Sequence, residues 1–96
     1  MEFEYDPGKS AANRKKHGIS LEQALRLWGV PAVVVKARTV GEERAMIIGR
    51  LGGKLYSCIF TMRGETVRLI SARRSHRKEA QLYHEVIEKD RSGGEV

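Results

Sequence analysis

Three short glycine-centred turns divide the middle of this chain: Gly41-Glu42-Glu43, Leu51-Gly52-Gly53-Lys54 and Arg63-Gly64-Glu65. Between and around them lie stretches that read as strands: Ala32–Val35, Arg44–Arg50, Leu55–Met62 and Thr66–Arg73. Strands joined by so few residues can only pair antiparallel, because a parallel pair needs a crossover of about a dozen residues or more. The turns therefore dictate an antiparallel meander, and everything else in the chain has to pack on it.

What remains is helical or edge-like. Phe3 and Tyr5 alternate with acids, as in a short edge strand. Asp6-Pro7 opens a helix, an N-cap followed by proline at the first helical position. That helix is expected to run to about His17 and stop at Gly18, which tolerates the left-handed C′ conformation. Ser20-Leu21-Glu22-Gln23 is a capping box. Leu21, Ala24, Leu25 and Trp28 then share one face of a second helix over 21–28, broken by Gly29-Val30-Pro31. Ser75 is placed to cap a last helix whose Ala80, Tyr83, Val86 and Ile87 share a face.

The predicted order is β-α-α-β-β-β-β-α. It defines an α+β fold with an antiparallel sheet of about four to five strands, two N-terminal helices and one C-terminal helix. One domain is expected over 1–90, with a flexible tail over 91–96. No apolar run approaches the roughly 18 residues needed to span a bilayer, and the acidic, alternating start is unlike a secretory signal. Cys58 is the single cysteine, so no internal disulfide can form. A cytoplasmic protein is expected.

The net charge of +6 is unevenly distributed. Arg63, Arg68, Arg73, Arg74, Arg77 and Lys78 fall in one short window with a single acid, Glu65. Clustered arginine calls for a polyanion partner, since its planar fork matches phosphate oxygens two at a time. For any one of these arginines, an ion pair with an acid such as Glu43 or Glu79 is the competing role.

His17, His76 and His84 are scattered and form no close ligand set, so no metal site is expected. No glycine-rich phosphate loop is present, and Gly49, Gly52 and Gly53 read as hairpin residues; no cofactor is implied. On the first helix, Lys9, Asn13, Lys16 and His17 fall on one polar stripe. Either the stripe presents donors to a phosphate or a reacting hydroxyl, or it is a solvated face with Asn13 and His17 bonded to a neighbouring strand. His17 lies at the helix C-terminus, where the dipole favours a cation. In the last strand, strict alternation places Arg68, Ile70, Ala72 and Arg74 on one face and Val67, Leu69, Ser71 and Arg73 on the other. Arg73 and Arg74 emerge where that strand feeds the last helix. No aromatic platform for stacking bases stands out, which favours recognition through backbone charge and arginine planes.

The segments Phe3-Glu4-Tyr5-Asp6-Pro7 with Lys9, Asn13-Arg14-Lys15-Lys16-His17-Gly18-Ile19-Ser20, Glu42-Glu43-Arg44 with Ile48-Gly49, Arg68-Leu69-Ile70-Ser71-Ala72-Arg73, and Glu79 with Tyr83 together resemble the BrnT family. These are the toxins of bacterial type II toxin–antitoxin pairs. The resemblance implies a RelE-like fold and a ribonuclease that cuts RNA, mRNA in particular, and halts translation. It also implies a BrnA-like antitoxin with a ribbon-helix-helix DNA-binding part, the two forming a heterotetramer that represses its own operon. Lys9, Asn13, Lys16, His17, Glu43, Arg44, Arg73, Glu79 and Tyr83 match the family pattern. Val30-Pro31 stands where the family usually has Asp-Pro, an acid usual near Arg38 is absent, and Arg74 and His76 replace a lysine and a threonine.

A metal-independent endoribonuclease follows from this reading, with the RNA 2′-hydroxyl as nucleophile. Arg73 and Arg74, with Arg63, are expected to stabilise phosphoryl charge, and Lys9 and Lys16 to position the backbone. His17 is the first choice for proton transfer, followed by His76 and Tyr83. Arg44, Arg63, Arg68, Arg77 and Lys78 would bind RNA; Asn13, Glu43 and Glu79 would orient other groups. The alternative is a non-catalytic basic module that binds nucleic acid or antitoxin.

Overall fold

The computed structural model describes residues 1–37 and 41–89. The expected tail and the Arg38 position lie outside them. Five strands, β1 (Glu2–Glu4), β2 (Ala32–Ala37), β3 (Arg44–Leu51), β4 (Lys54–Arg63) and β5 (Thr66–Arg74), form one sheet in the order β1-β5-β4-β3-β2. β2 to β5 pair antiparallel, as the short turns require; β1 adds at the edge, parallel to β5. Gly52 and Gly53, at φ of 58° and 82°, make the β3–β4 hairpin turn.

The helix α1 (Pro7–His17) has Asp6 at its N-cap and ends at Gly18, whose φ of 78° is the left-handed cap that glycine tolerates best. Helix α2 (Leu21–Ala24) carries the capping box and tightens into a 3-10 turn (Leu25–Gly29), so the expected second helix is continuous but changes pitch. These elements cover one face of the sheet. Leu21 and Leu27 are completely buried there against Ile47, Cys58, Phe60, Val67, Leu69 and Ala72, each contributing roughly 1.5–3 kcal/mol. Gly49 sits inside β3, not in the hairpin as expected. A Cβ there would come 3.0 Å from Leu27 Cδ2, so glycine is what lets the 3-10 turn settle on the strand.

The other face carries α3 (Arg77–Tyr83), continued by a π-helical turn (His84–Glu88). Tyr83 is buried there with Ile48 and Leu55. The N-cap position of α3 is His76, not Ser75. The Ser75 hydroxyl instead bonds the Ser57 hydroxyl at 2.8 Å, and its N–H donates to the Leu55 carbonyl.

A bulge changes the predicted faces of β5. Ile59 pairs with Ser71 but Phe60 with Leu69, leaving Ile70 as an extra residue. Beyond it the alternation inverts. Ala72 therefore joins Val67 and Leu69 in the core beneath α1 and α2, and Arg74 emerges on that helix-covered side. Arg73 shares the α3 side with Arg68. The two arginines still point opposite ways, but each lies on the face opposite to the one its strand neighbours suggested.

Candidate functional site

Asn13 organises the end of β5. Its Nδ2 donates to the carbonyls of Ile19 and Ala72, both at 2.7 Å, and its Oδ1 accepts the Ala72 N–H at 3.2 Å. One buried amide thus joins α1, the turn after it, and the stretch of β5 beyond its pairing with β1. Asn13 belongs to the polar stripe of α1, and of the two readings of that stripe it takes the strand-bonding one. Lys9 and Lys16, one turn away on either side, stay exposed, and His17 is half-buried. The tie holds His17-Gly18-Ile19 beside Ala72-Arg73-Arg74, bringing together two groups that are 59 residues apart at the bond itself.

Arg73 turns toward α3 and meets Glu79 in a two-pronged pair, Nη1 to Oε1 at 2.8 Å and Nη2 to Oε2 at 2.9 Å. Glu79 Oε1 also accepts the Ser57 hydroxyl at 2.7 Å and the His76 N–H at 2.9 Å, the latter capping α3. Burial alone would raise the Glu79 pKa. The hydrogen bonds from Arg73, the His76 backbone and Ser57, with the charge of Arg73, outweigh it and hold the carboxyl down to about 2. The hydrogen bond that Arg73 donates to Glu79 in turn raises the Arg73 pKa against its own partial burial. The pair fastens the strand to the helix, so the ion-pair role considered for these arginines is the one Arg73 fills.

Arg74 is the exposed member. Its guanidinium lies over the Tyr56 ring, 5.8 Å from the centroid. No described carboxylate lies within ion-pair distance of it. Next to it is a groove of about 190 Å³ between the turn after α1 and the β3–β4 hairpin, walled by Gly18, Ile19, Gln23, Arg26 and Tyr56. Arg14, Lys15 and Lys16, in the last turn of α1 that leads into Gly18, add exposed positive charge.

The remaining candidates divide. His76, Arg77 and Lys78 are exposed at the start of α3, on the Arg73 side. Arg44, Glu43 and Arg63 lie at the opposite end of the sheet; Arg63 is six residues further along β4 than Ser57, the partner of Arg73, or roughly 20 Å away. A larger cavity of about 350 Å³, walled in part by Arg44, Glu43 and Met62, sits there, remote from the paired arginines. Arg68 is bound to Glu4 at 2.7 Å. Tyr83 is only 3% exposed, with Arg50 over its ring, so it is a packing residue rather than a proton donor at a surface site. Burial pushes the Cys58 thiol up to about 12, which removes it as a nucleophile. Among the described residues no group of three histidine, cysteine or acidic side chains could hold a metal. No helix in them is long and apolar enough to cross a membrane.

Tyr56, Gln23, Arg26 and Ser57 escaped the sequence reading. Counting back from the β4–β5 turn pairs Tyr56 with Arg73. The bulge shifts that register by one and brings Tyr56 to Arg74 instead.

A basic α+β protein with an arginine pair at the exit of its central meander is the class that fold and site define. The sequence model of the ribonuclease toxin BrnT, of type II toxin–antitoxin systems, matches residues 5–79. The chain therefore belongs to the BrnT family, toxins with ribonuclease activity that imply an RNA substrate and an antitoxin partner. A search of curated proteins finds no match.

Proposed function

We propose that this toxin cuts mRNA without a metal ion, in the cytoplasm, halting translation, and that the scissile phosphate lies where the turn after α1 meets the end of β5. The observation that supports the placement is the Asn13 tie, which holds the turn after His17 against the Ala72 end of β5; Gly18 and Ile19 of that turn line one open groove together with Tyr56, the ring that Arg74 lies over. The RNA 2′-oxygen attacks the neighbouring phosphorus. The new bond to that oxygen closes a 2′,3′-cyclic phosphate while the bond to the 5′-oxygen breaks. His17 is the group that moves the proton between these two oxygens. Arg74 stabilises the extra charge on the phosphoryl oxygens, and Lys9 and Lys16 hold the flanking backbone. Arg73 is a positioning residue: its pair with Glu79 fixes the end of β5 and so the direction of Arg74. Arg77, Lys78 and His76 extend the positive surface along which RNA approaches.

A BrnA-like antitoxin, carrying a toxin-binding segment and a ribbon-helix-helix, neutralises the toxin, and the pair assembles as a heterotetramer on operator DNA. The catalytic reading is tested with purified toxin and end-labelled RNA in excess chelator. Cleavage to fragments ending in 2′,3′-cyclic phosphate is expected. Binding without scission would sink it and leave a non-catalytic module.

A further inference from the structure

The groove beside Arg74 has properties that phosphate binding does not require. Its volume of about 190 Å³ is many times what a single water needs, so it has room for a group larger than solvent. One wall is the half-buried Tyr56 ring, which keeps the Arg74 guanidinium over it. Unstacked RNA bases settle against aromatic rings and arginine planes in this way.

The charged and amide side chains of the groove that are free to bond are donors. Gln23 Oε1 is engaged, accepting the Ser20 N–H at 2.9 Å in the capping box. That leaves the Nε2 donors of Gln23 with no partner among the described residues. Arg26 is exposed and has no described carboxylate within ion-pair distance. No carboxylate lines the groove. A base offering adjacent acceptors fits such a set. Guanine, with O6 and N7 side by side, does so better than adenine or cytosine, which place an amino donor beside an acceptor.

We infer that this groove is a nucleobase subsite selective for guanine beside the scissile phosphate, with the Tyr56 ring, which Arg74 lies over, as its stacking wall and Gln23 and Arg26 as its readers. The inference rests on the RNA-cleaving reading for its position next to the phosphate, and it is tested by binding, so the two can fail separately.

The measurement uses fluorescence anisotropy with short oligonucleotides in which every 2′-hydroxyl is replaced by hydrogen, so that none is cut. Guanine, each other base, or an abasic sugar is walked through every position. At one position, guanine is expected to bind about tenfold more tightly than the abasic sugar and than the other bases. Gln23→Glu keeps the capping-box acceptor, so α2 stays capped, but it turns the reading donors into an acceptor. It is expected to bring the guanine-to-abasic ratio near one. Tyr56→Phe, which keeps the stacking wall, retains the ratio. Equal affinity for guanine and the abasic sugar in the unaltered toxin overturns the subsite, as does a guanine preference that survives Gln23→Glu. Uracil binding as tightly as guanine overturns the guanine assignment. If guanine selectivity holds but the toxin leaves RNA uncut, the cleavage reading alone falls.

Discussion

The side-chain amide of Asn13 pairs with the backbone of Ala72 in both directions, donating to its carbonyl and accepting its N–H, much as a neighbouring strand would. Ala72 is completely buried and Ile19, the third partner, nearly so. Asn13→Ala would strand two carbonyls and an N–H where water does not reach. We expect a loss of about 3 kcal/mol or more, from a cost of roughly 1–3 kcal/mol for each of the three unsatisfied buried groups. Urea denaturation checks this; a change below about 0.5 kcal/mol would mean that water or local movement replaces the amide.

The Arg73–Glu79 pair makes stability depend on acid. The carboxyl of Glu79 lies at about 2 in the folded chain against an ordinary 4.5. A depressed carboxyl stabilises the fold above its unfolded pKa, and this contribution disappears as pH falls through the folded pKa. The loss attributable to Glu79 should therefore fall between about pH 4.5 and pH 2. Glu79→Gln, less stable at neutral pH, should show a flatter stability curve across that window. Parallel curves for the two proteins would show that Glu79 is not depressed.

Arg74 and Arg73 should separate in solution despite being neighbours. Arg74→Ala touches no ion pair and should leave thermal stability nearly unchanged while lowering the slope of log affinity for RNA against log salt by about one. Arg73→Ala should instead lower stability, because it leaves a partly buried Glu79 without its main partner. Thermal melts and salt titrations of both variants decide the assignment.

Gly49→Ala would put a methyl 3.0 Å from Leu27 Cδ2, 3.3 Å from Val30 Cγ2 and 3.4 Å from the Ala32 Cβ. The buried Leu27 side chain, with Val30 and Ala32, would have to give by a few tenths of an ångström. A cost of about 1–3 kcal/mol follows from overpacking a filled core. Gly52 has open space around it but needs its positive φ, so Gly52→Asn should be milder than Gly52→Val. Chemical denaturation of the three variants tests the ranking.

Local rules carried the sequence reading far. Short glycine turns fixed the pairing of β2 to β5, and the Asp6, Gly18 and Ser20 caps fixed the helix ends, because each depends on contacts within a few residues. The side of β5 from which Arg73 and Arg74 emerge could not be read this way. It depends on Ile70 being extruded, and an inserted residue looks like any other member of an apolar run. Ser75 carried a plausible capping signal but found a closer partner in Ser57, a residue 18 positions away on another strand. Gly49 resembled a turn glycine for the same reason: its close neighbour, Leu27, is distant in sequence. The juxtaposition of the α1 stripe with the end of β5 was visible as two basic groups. Only the Asn13 bonds reveal what joins them.

The proposed chemistry occurs at the junction of the α1 turn with the Arg74 end of β5, and not at the Arg44–Arg63 end of the sheet. The most direct test compares single-turnover RNA cleavage by His17→Ala, Arg74→Ala, Arg44→Ala and Arg63→Ala proteins of equal folded content. Losses of about 100-fold or more are expected for His17→Ala and Arg74→Ala, the scale of a lost proton-transfer or charge-stabilising group. Changes of only a few-fold are expected for the other two. Full cleavage by His17→Ala and Arg74→Ala, with activity abolished in Arg44→Ala or Arg63→Ala, would contradict this placement.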